Sequence, residues 1–160
     1  MKKAVLYIDS MQRGGAQRVM SVLSEFLSNK GVYTILVNDI IPEEGKAEYP
    51  IDSQVHRVFL DKNRKPGRNK NISRVISLRR LVKEENPDVV LSFMGPPNYR
   101  MLLSTIGMRC RKVVSVRNDP NKEYGTGLKK YMAGFVFRLA NGTSIEIFSG
   151  RGQKKGENYS

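Results

Sequence analysis

The residues whose types and spacing most plainly suggest chemistry are Gly14 and Gly15. They stand between the apolar strand run AVLYI at residues 4–8 and the amphipathic pattern AQRVMSVLSEFL at residues 16–27. A strand that feeds glycines into a helix N-terminus leaves backbone N–H groups unpaired and unshielded by any Cβ, which suits an incoming phosphate. The turn reads R-G-G-A-Q-R, so it meets neither the G-x-G-x-x-G dinucleotide fingerprint nor the G-x-x-x-x-G-K-[ST] phosphate loop. What survives is the feature those motifs share, and in an open parallel sheet ligands gather at the carboxyl ends of the strands. A tight turn with a purely structural role accounts for the same two glycines.

Other reactive side chains are few. The single cysteine, Cys110, excludes an internal disulfide, and with the single histidine, His56, it leaves no cluster for structural zinc. Cys110 reads as a semi-buried thiol and His56, in QVHRVFL, as a solvent-facing strand residue. The 28 Lys and Arg outnumber the 15 Asp and Glu, a formal net charge of +13, which favours anionic partners: nucleic acid, acidic lipid or phosphorylated metabolites. Residues 61–70, DKNRKPGRNK, read either as a solvated connection or as a basic arm for an anionic surface. No run approaches the roughly 20 apolar residues of a membrane span, and Met1-Lys2-Lys3 leads into too short a stretch for a signal peptide. Both point to the cytoplasm, with peripheral contact to an anionic membrane through the basic loop or a greasy late helix as a further option.

The elements that must position the glycine turn follow from periodicity. At 160 residues, one domain is expected. Strand-length apolar runs alternate with helical patterns, which predicts an α/β, Rossmann-like, doubly wound and mainly parallel sheet with helices on both faces. Strands are expected at Lys3–Asp9, Val32–Asn38, Gln54–Leu60, Asp88–Met94 and Lys112–Val116. A first helix over Gly15–Lys30 carries Ala16, Val19, Met20, Leu23, Phe26 and Leu27 inward and stops at Gly31. A second begins near Asn71, turns Ile72, Val75, Ile76, Leu78 and Val82 inward and ends before Pro87. After a GPPN turn a third runs from Asn98 to Gly107 with Met101, Leu102 and Ile106 apolar. The link from Asp39 to Ser53, rich in acidic residues, reads as an exposed loop. A last helix over Gly127–Ala140 combines Lys129, Lys130 and Arg138 with a wide apolar surface. TSIEIFS at 143–149 suits one more strand, and the polar stretch 150–160 is expected to be disordered.

Three ordered segments, GGAQRVMSVLSEFLSNKG from Gly14, SFMGPPN from Ser92 and SVRNDPNKEY from Ser115, resemble the N-terminal domain of family 4 glycosyltransferases of GT-B architecture. The likeness is strongest to bacterial enzymes that build surface polysaccharides or glycoconjugates, and it runs from Met1 to about Gly142. It implies a retaining, hexosyl-transferring enzyme in which this domain holds a saccharide or lipid-linked acceptor and a second domain holds a nucleotide-sugar donor, without metal or other cofactor. Carried over, Arg13, Gly14, Gly15 and Ala16 approach the donor diphosphate, while Asn98 and Asn118 line the cleft. Arg117 and Asp119 fill the catalytic roles. Cations and oriented N–H donors are needed where diphosphate charge grows, and Asp119 could accept an acceptor hydroxyl's proton. Asn-Asp-Pro is equally an ordinary turn.

Gln17 stands where that family often has Glu. No donor domain follows, so a truncated or frameshifted product is expected, with 143–160 outside the family sequence. The fragment should bind donor weakly and act, if at all, with a donor domain on another chain. The alternative function is a basic nucleic-acid- or anion-binding module, disfavoured because the basic loop lacks a reading helix or stacking aromatics.

Overall fold

The structure is a computed structural model, and it describes residues 1–12, 14–63, 69–116 and 143–147. Six strands, β1 (Lys3–Ile8), β2 (Tyr33–Asn38), β3 (His56–Phe59), β4 (Val89–Phe93), β5 (Arg111–Val116) and β6 (Thr143–Ile147), form one sheet in the order β3-β2-β1-β4-β5-β6. Every neighbouring pair is parallel. Among the described residues the helices are α1 (Gly15–Asn29), between β1 and β2, α2 (Lys70–Glu85), which with a 3-10 turn at Leu60–Asn63 lies between β3 and β4, and α3 (Gly95–Ser104), between β4 and β5. This is the doubly wound, Rossmann-like arrangement that the alternation of apolar runs predicts. The expected short strand near residue 143 is β6. The expected helix at 127–140 and the polar tail lie outside the described residues.

The central strand β1 is covered on both faces, as its unbroken apolar run requires. Val5 and Tyr7 face a core with Val37, Val90, Leu78, Val82, Met101 and Leu102, beneath α2 and α3. Leu6 and Ile8 face the other core with Met11, Ala16, Met20 and Leu36, beneath α1. Helix α1 ends as expected at Gly31, whose φ of +74° is the left-handed conformation glycine accepts most easily. There Gly31 N–H donates to the Ser28 carbonyl and Val32 N–H to the Leu27 carbonyl, a Schellman motif. Asn86, also left-handed, closes α2 just before Pro87.

Several expectations need correction. The segment GPPN is not a turn preceding α3 but its first turn: the helix runs Gly95–Ser104, because prolines fit where N–H groups have no intrahelical partner. Ile106 therefore falls beyond the helix and is exposed. On α2, Leu78 and Val82 are buried as expected, but Ile72 and Ile76 point outward and Ser73 is buried instead. The cause is Arg74, whose largely buried guanidinium takes an inward position to reach Asp39 and Asp61. On α1, Phe26 is exposed while Ser21 and Ser24 are buried, satisfied by hydrogen bonds to the carbonyls of Pro50 and Ser21 respectively. The link from Asp39 to Ser53 is only partly exposed. Asp39 is buried, Tyr49 and Ile51 pack on the α1 core, and Glu48 bridges to Gln12 and chelates Arg57.

Candidate functional site

The order of strands reverses between β1 and β4, so the segments leaving their carboxyl ends diverge and open a crevice, the usual ligand position in such a sheet. On the β1 side lies the start of α1. Gly14 is the N-cap residue in extended conformation, and no side chain caps the helix. The first bond of the helical ladder is Arg18 N–H to the Gly14 carbonyl at 3.0 Å, which places the amides of Gly15, Ala16 and Gln17 ahead of it. A Cβ added to Gly15 would meet nothing within 4 Å. At Gly14 it would come within 2.5 Å of the Gln17 Oε1, the far end of a flexible side chain. Neither glycine has a positive φ. The fold itself thus places no demand for glycine at 15, and the space a side chain there would occupy is open. Ala16 turns its methyl into the α1 core, leaving its backbone as the part available to a ligand.

On the β4 side the chain passes through Met94, with φ +75° and ψ 156°. This region of backbone space is almost closed to side-chain-bearing residues and costs of order 1 to 3 kcal/mol. Neighbouring hydrogen bonds hold it. Met94 N–H donates to the Ser115 carbonyl at 3.3 Å, and its own carbonyl accepts from Asn98 N–H at 3.0 Å. The Asn98 side chain donates to the same Ser115 carbonyl at 3.1 Å and accepts from the Ser92 hydroxyl at 2.6 Å. Asn98 is fully buried, so the structure places it beneath the crevice as a tie between α3, β4 and β5. Arg13, Arg117, Asn118 and Asp119 lie outside the described residues.

Composition and periodicity give no sign of the polar cluster that stitches this edge of the sheet together. Asp39, directly after β2, accepts the Tyr7 hydroxyl proton on Oδ1 at 2.7 Å. Its Oδ2 lies 2.9 Å from Arg100 Nη2 and 3.5 Å from Arg74 Nη1. Arg74 in turn holds Asp61 through two nitrogens, at 2.7 and 3.1 Å. Arg100 also reaches Asn71 on α2. Burial, reinforced by the neighbouring carboxylate, pushes the Tyr7 hydroxyl well above its ordinary pKa. Burial likewise raises Asp39, against the opposing pull of Arg100, the Tyr7 hydroxyl and Arg74. These residues pair internally and join β1, β2, α2 and α3, which is the work of a clamp. A tyrosine in an apolar strand and an acid in an apparent loop carry no periodic signal of such a role. Among the described residues no cluster of His, Cys, Asp and Glu gathers to hold a metal.

No family model and no curated protein matches the chain. Solved structures do. The chain superposes on a sucrose-phosphate synthase from Thermosynechococcus elongatus with a TM-score of 0.63 at 6% identity, covering 92% of this chain and 47% of that one. It superposes on MurG from Acinetobacter baumannii with a TM-score of 0.54 at 12% identity, covering 97% of this chain and 44% of that one. At these identities the likeness is one of fold, and the chain spans less than half the length of either structure.

Proposed function

We propose that this chain is the acceptor-binding half of a nucleotide-sugar-dependent glycosyltransferase of GT-B type. The observation that carries the reading is the uncapped start of α1 at the strand-order reversal, with nothing within 4 Å of the side-chain position of Gly15. Such a terminus offers oriented N–H donors and a partial positive charge where a leaving diphosphate develops negative charge. Two further observations support it. The similar solved structures are glycosyltransferases of that architecture, and three ordered segments of this sequence resemble the acceptor-side domain of family 4 enzymes.

In this reading the amides of Gly14, Gly15 and Ala16, with the Arg13 and Arg117 cations, face the donor diphosphate across a cleft. Asn118 lines the transferred sugar. Asp119 engages the acceptor hydroxyl, and Asn98 holds the β4 rim in position from below. The acceptor is a saccharide or lipid-linked saccharide used at the cytoplasmic side of the membrane. A facing donor domain completes the site.

Amide-resolved NMR of the full chain, titrated with uridine diphosphate and with inorganic pyrophosphate, tests this. Shifts are expected at Gly14 to Gln17 and at Met94 and Gly95, saturating only in the millimolar range. Shifts confined to the opposite edge of the sheet, or none at the α1 start, would overturn it.

A further inference from the structure

The outward side of α1 carries a face unlike the rest of this basic surface. Arg18, Val22, Glu25, Phe26 and Asn29 stand at i, i+4, i+7, i+8 and i+11, which brings them onto one side of the helix, and all five are exposed. Val22 is 60% and Phe26 54% exposed. Beside them Val19 and Leu23 are half-buried. Val19, Val22, Leu23 and Phe26, at i, i+3, i+4 and i+7, line an open groove of about 380 Å³ with Arg18 at its end. That spacing is the hole into which a side chain of a second helix packs. The face is held in place: the Ser21 hydroxyl ties α1 to the Pro50 carbonyl at 2.6 Å, and the Lys30 ammonium lies 5.7 Å over the Phe26 ring.

Charge selects the occupant. The chain has a net charge of +13, and α2 alone carries five cations and two anions. Helix α1 carries one of each, Arg18 and Glu25, both on the exposed face. A polyanion finds no excess of positive charge on this helix. A second copy of the chain finds a complement. Laid antiparallel about a two-fold axis at Val22, one α1 sets its Arg18 level with the other's Phe26, one residue or about 1.5 Å along the axis from the other's Glu25, and the symmetry repeats that pair at the far end. Between the two ion pairs each Val22 enters the other copy's groove. The antiparallel sense also sets the uncapped, positive start of each helix beside the negative end of the other. A parallel pair would set Arg18 against Arg18 and Glu25 against Glu25.

We infer that α1 is a self-association surface, through which two copies of this chain form an isologous, antiparallel dimer with Val22 and Phe26 inside the contact and reciprocal Arg18–Glu25 pairs at its ends. The helix has 15 residues, so it is about 22 Å long. A contact limited to it falls below the roughly 1,200 Å² of a stable interface. The dimer is therefore weak and concentration-dependent, half-populated at about 0.1 to 1 mM. Repulsion between two basic chains opposes it at low ionic strength and is screened beyond about 10 Å at 0.1 M salt. The inference does not rest on the proposed transfer reaction, and the two stand or fall separately.

Sedimentation equilibrium of the full chain at about 0.15 M salt and up to about 1 mM protein tests it. The average mass is expected to rise with concentration from that of one chain toward that of two. Val22→Ser with Phe26→Ser, at exposed positions that leave the core intact, should weaken association at least about tenfold. Ile72→Ser with Ile76→Ser, equally exposed apolar positions on α2, should leave it unchanged. The orientation has its own test. Arg18→Glu and Glu25→Arg each turn two attractive pairs into two repulsive ones, and each should weaken the homodimer about fivefold. Mixed in equal amounts, the two variants present opposite charges at both ends and should regain the association of the unaltered chain. A chain that stays monomeric over this range would overturn the inference. So would an equal loss from the α2 variant, or a mixture that associates no better than either charge variant alone.

Discussion

Met94 and Asp39 show how single residues hold this edge of the sheet. Elsewhere in a protein alanine is more stabilising than glycine by about 0.5 to 1 kcal/mol, because glycine loses more backbone freedom on folding. At Met94 the order should reverse, since φ +75° with ψ 156° suits only glycine. Met94→Gly is therefore expected to be more stable than Met94→Ala by about 1 kcal/mol in urea denaturation, both variants having lost the same side-chain packing. An Ala variant equal to or above the Gly variant would show that the backbone is unstrained. Asp39 is the converse case, where a side chain is the partner of buried groups. Asp39→Ala leaves the Tyr7 hydroxyl without its acceptor and the buried Arg100 guanidinium without its counter-charge, and is expected to cost about 3 to 5 kcal/mol by the same measurement. Cys110 gives a pH test. Burial raises its thiol pKa, so at neutral pH it holds less thiolate than an ordinary cysteine. Its alkylation by iodoacetamide in the native chain should be slower than in the unfolded chain, and should accelerate as pH rises above the usual thiol range.

At the scale of elements, the two long helices begin differently, and the difference has a functional meaning. Helix α2 is capped, with the Asn69 side chain accepting the Asn71 N–H at 3.0 Å, and Asn69→Ala should destabilise the chain by about 1 kcal/mol. Helix α1 starts on Gly14 with no cap. Gly14→Asp adds one, and should raise stability by a few tenths of a kcal/mol while abolishing the pyrophosphate shifts, because the carboxylate occupies the anion position. A variant that gained stability and still bound pyrophosphate at the α1 start would separate the cap from the site. Strand positions and the ends of α1 and α2 were legible in the sequence because each rests on local chemistry: a continuous apolar run, Gly31 or the residue before Pro87. Facing was less legible. The inward side of α2 depends on Arg74 reaching Asp39 and Asp61 across the sheet edge, and the start of α3 depends on prolines read as punctuation although they fit a first helical turn.

For the whole molecule, the carboxyl edge of the sheet gathers the glycine turn, the strained Met94 and the clamp around Asp39 on one rim. The glycine turn was readable because it breaks an apolar run. Met94 and the clamp were not, since a backbone angle and long-range ion pairs leave no periodic trace. What one domain can achieve with this rim is set by magnitudes. A helix terminus contributes about 0.3 to 2 kcal/mol toward an anion, whereas a millimolar dissociation constant already requires about 4 kcal/mol. Orientation of two substrates in a cleft can lower a barrier by about 7 to 11 kcal/mol, and that needs a surface facing this one. The chain alone is therefore expected to bind nucleotide sugars at millimolar strength or weaker and to turn over negligibly. Isothermal titration calorimetry with a panel of nucleotide sugars checks the first expectation, and release of nucleoside diphosphate checks the second. Micromolar binding would mean that the described edge, with its neighbouring segments, forms a complete donor site by itself, and the division of labour between two domains would have to be abandoned.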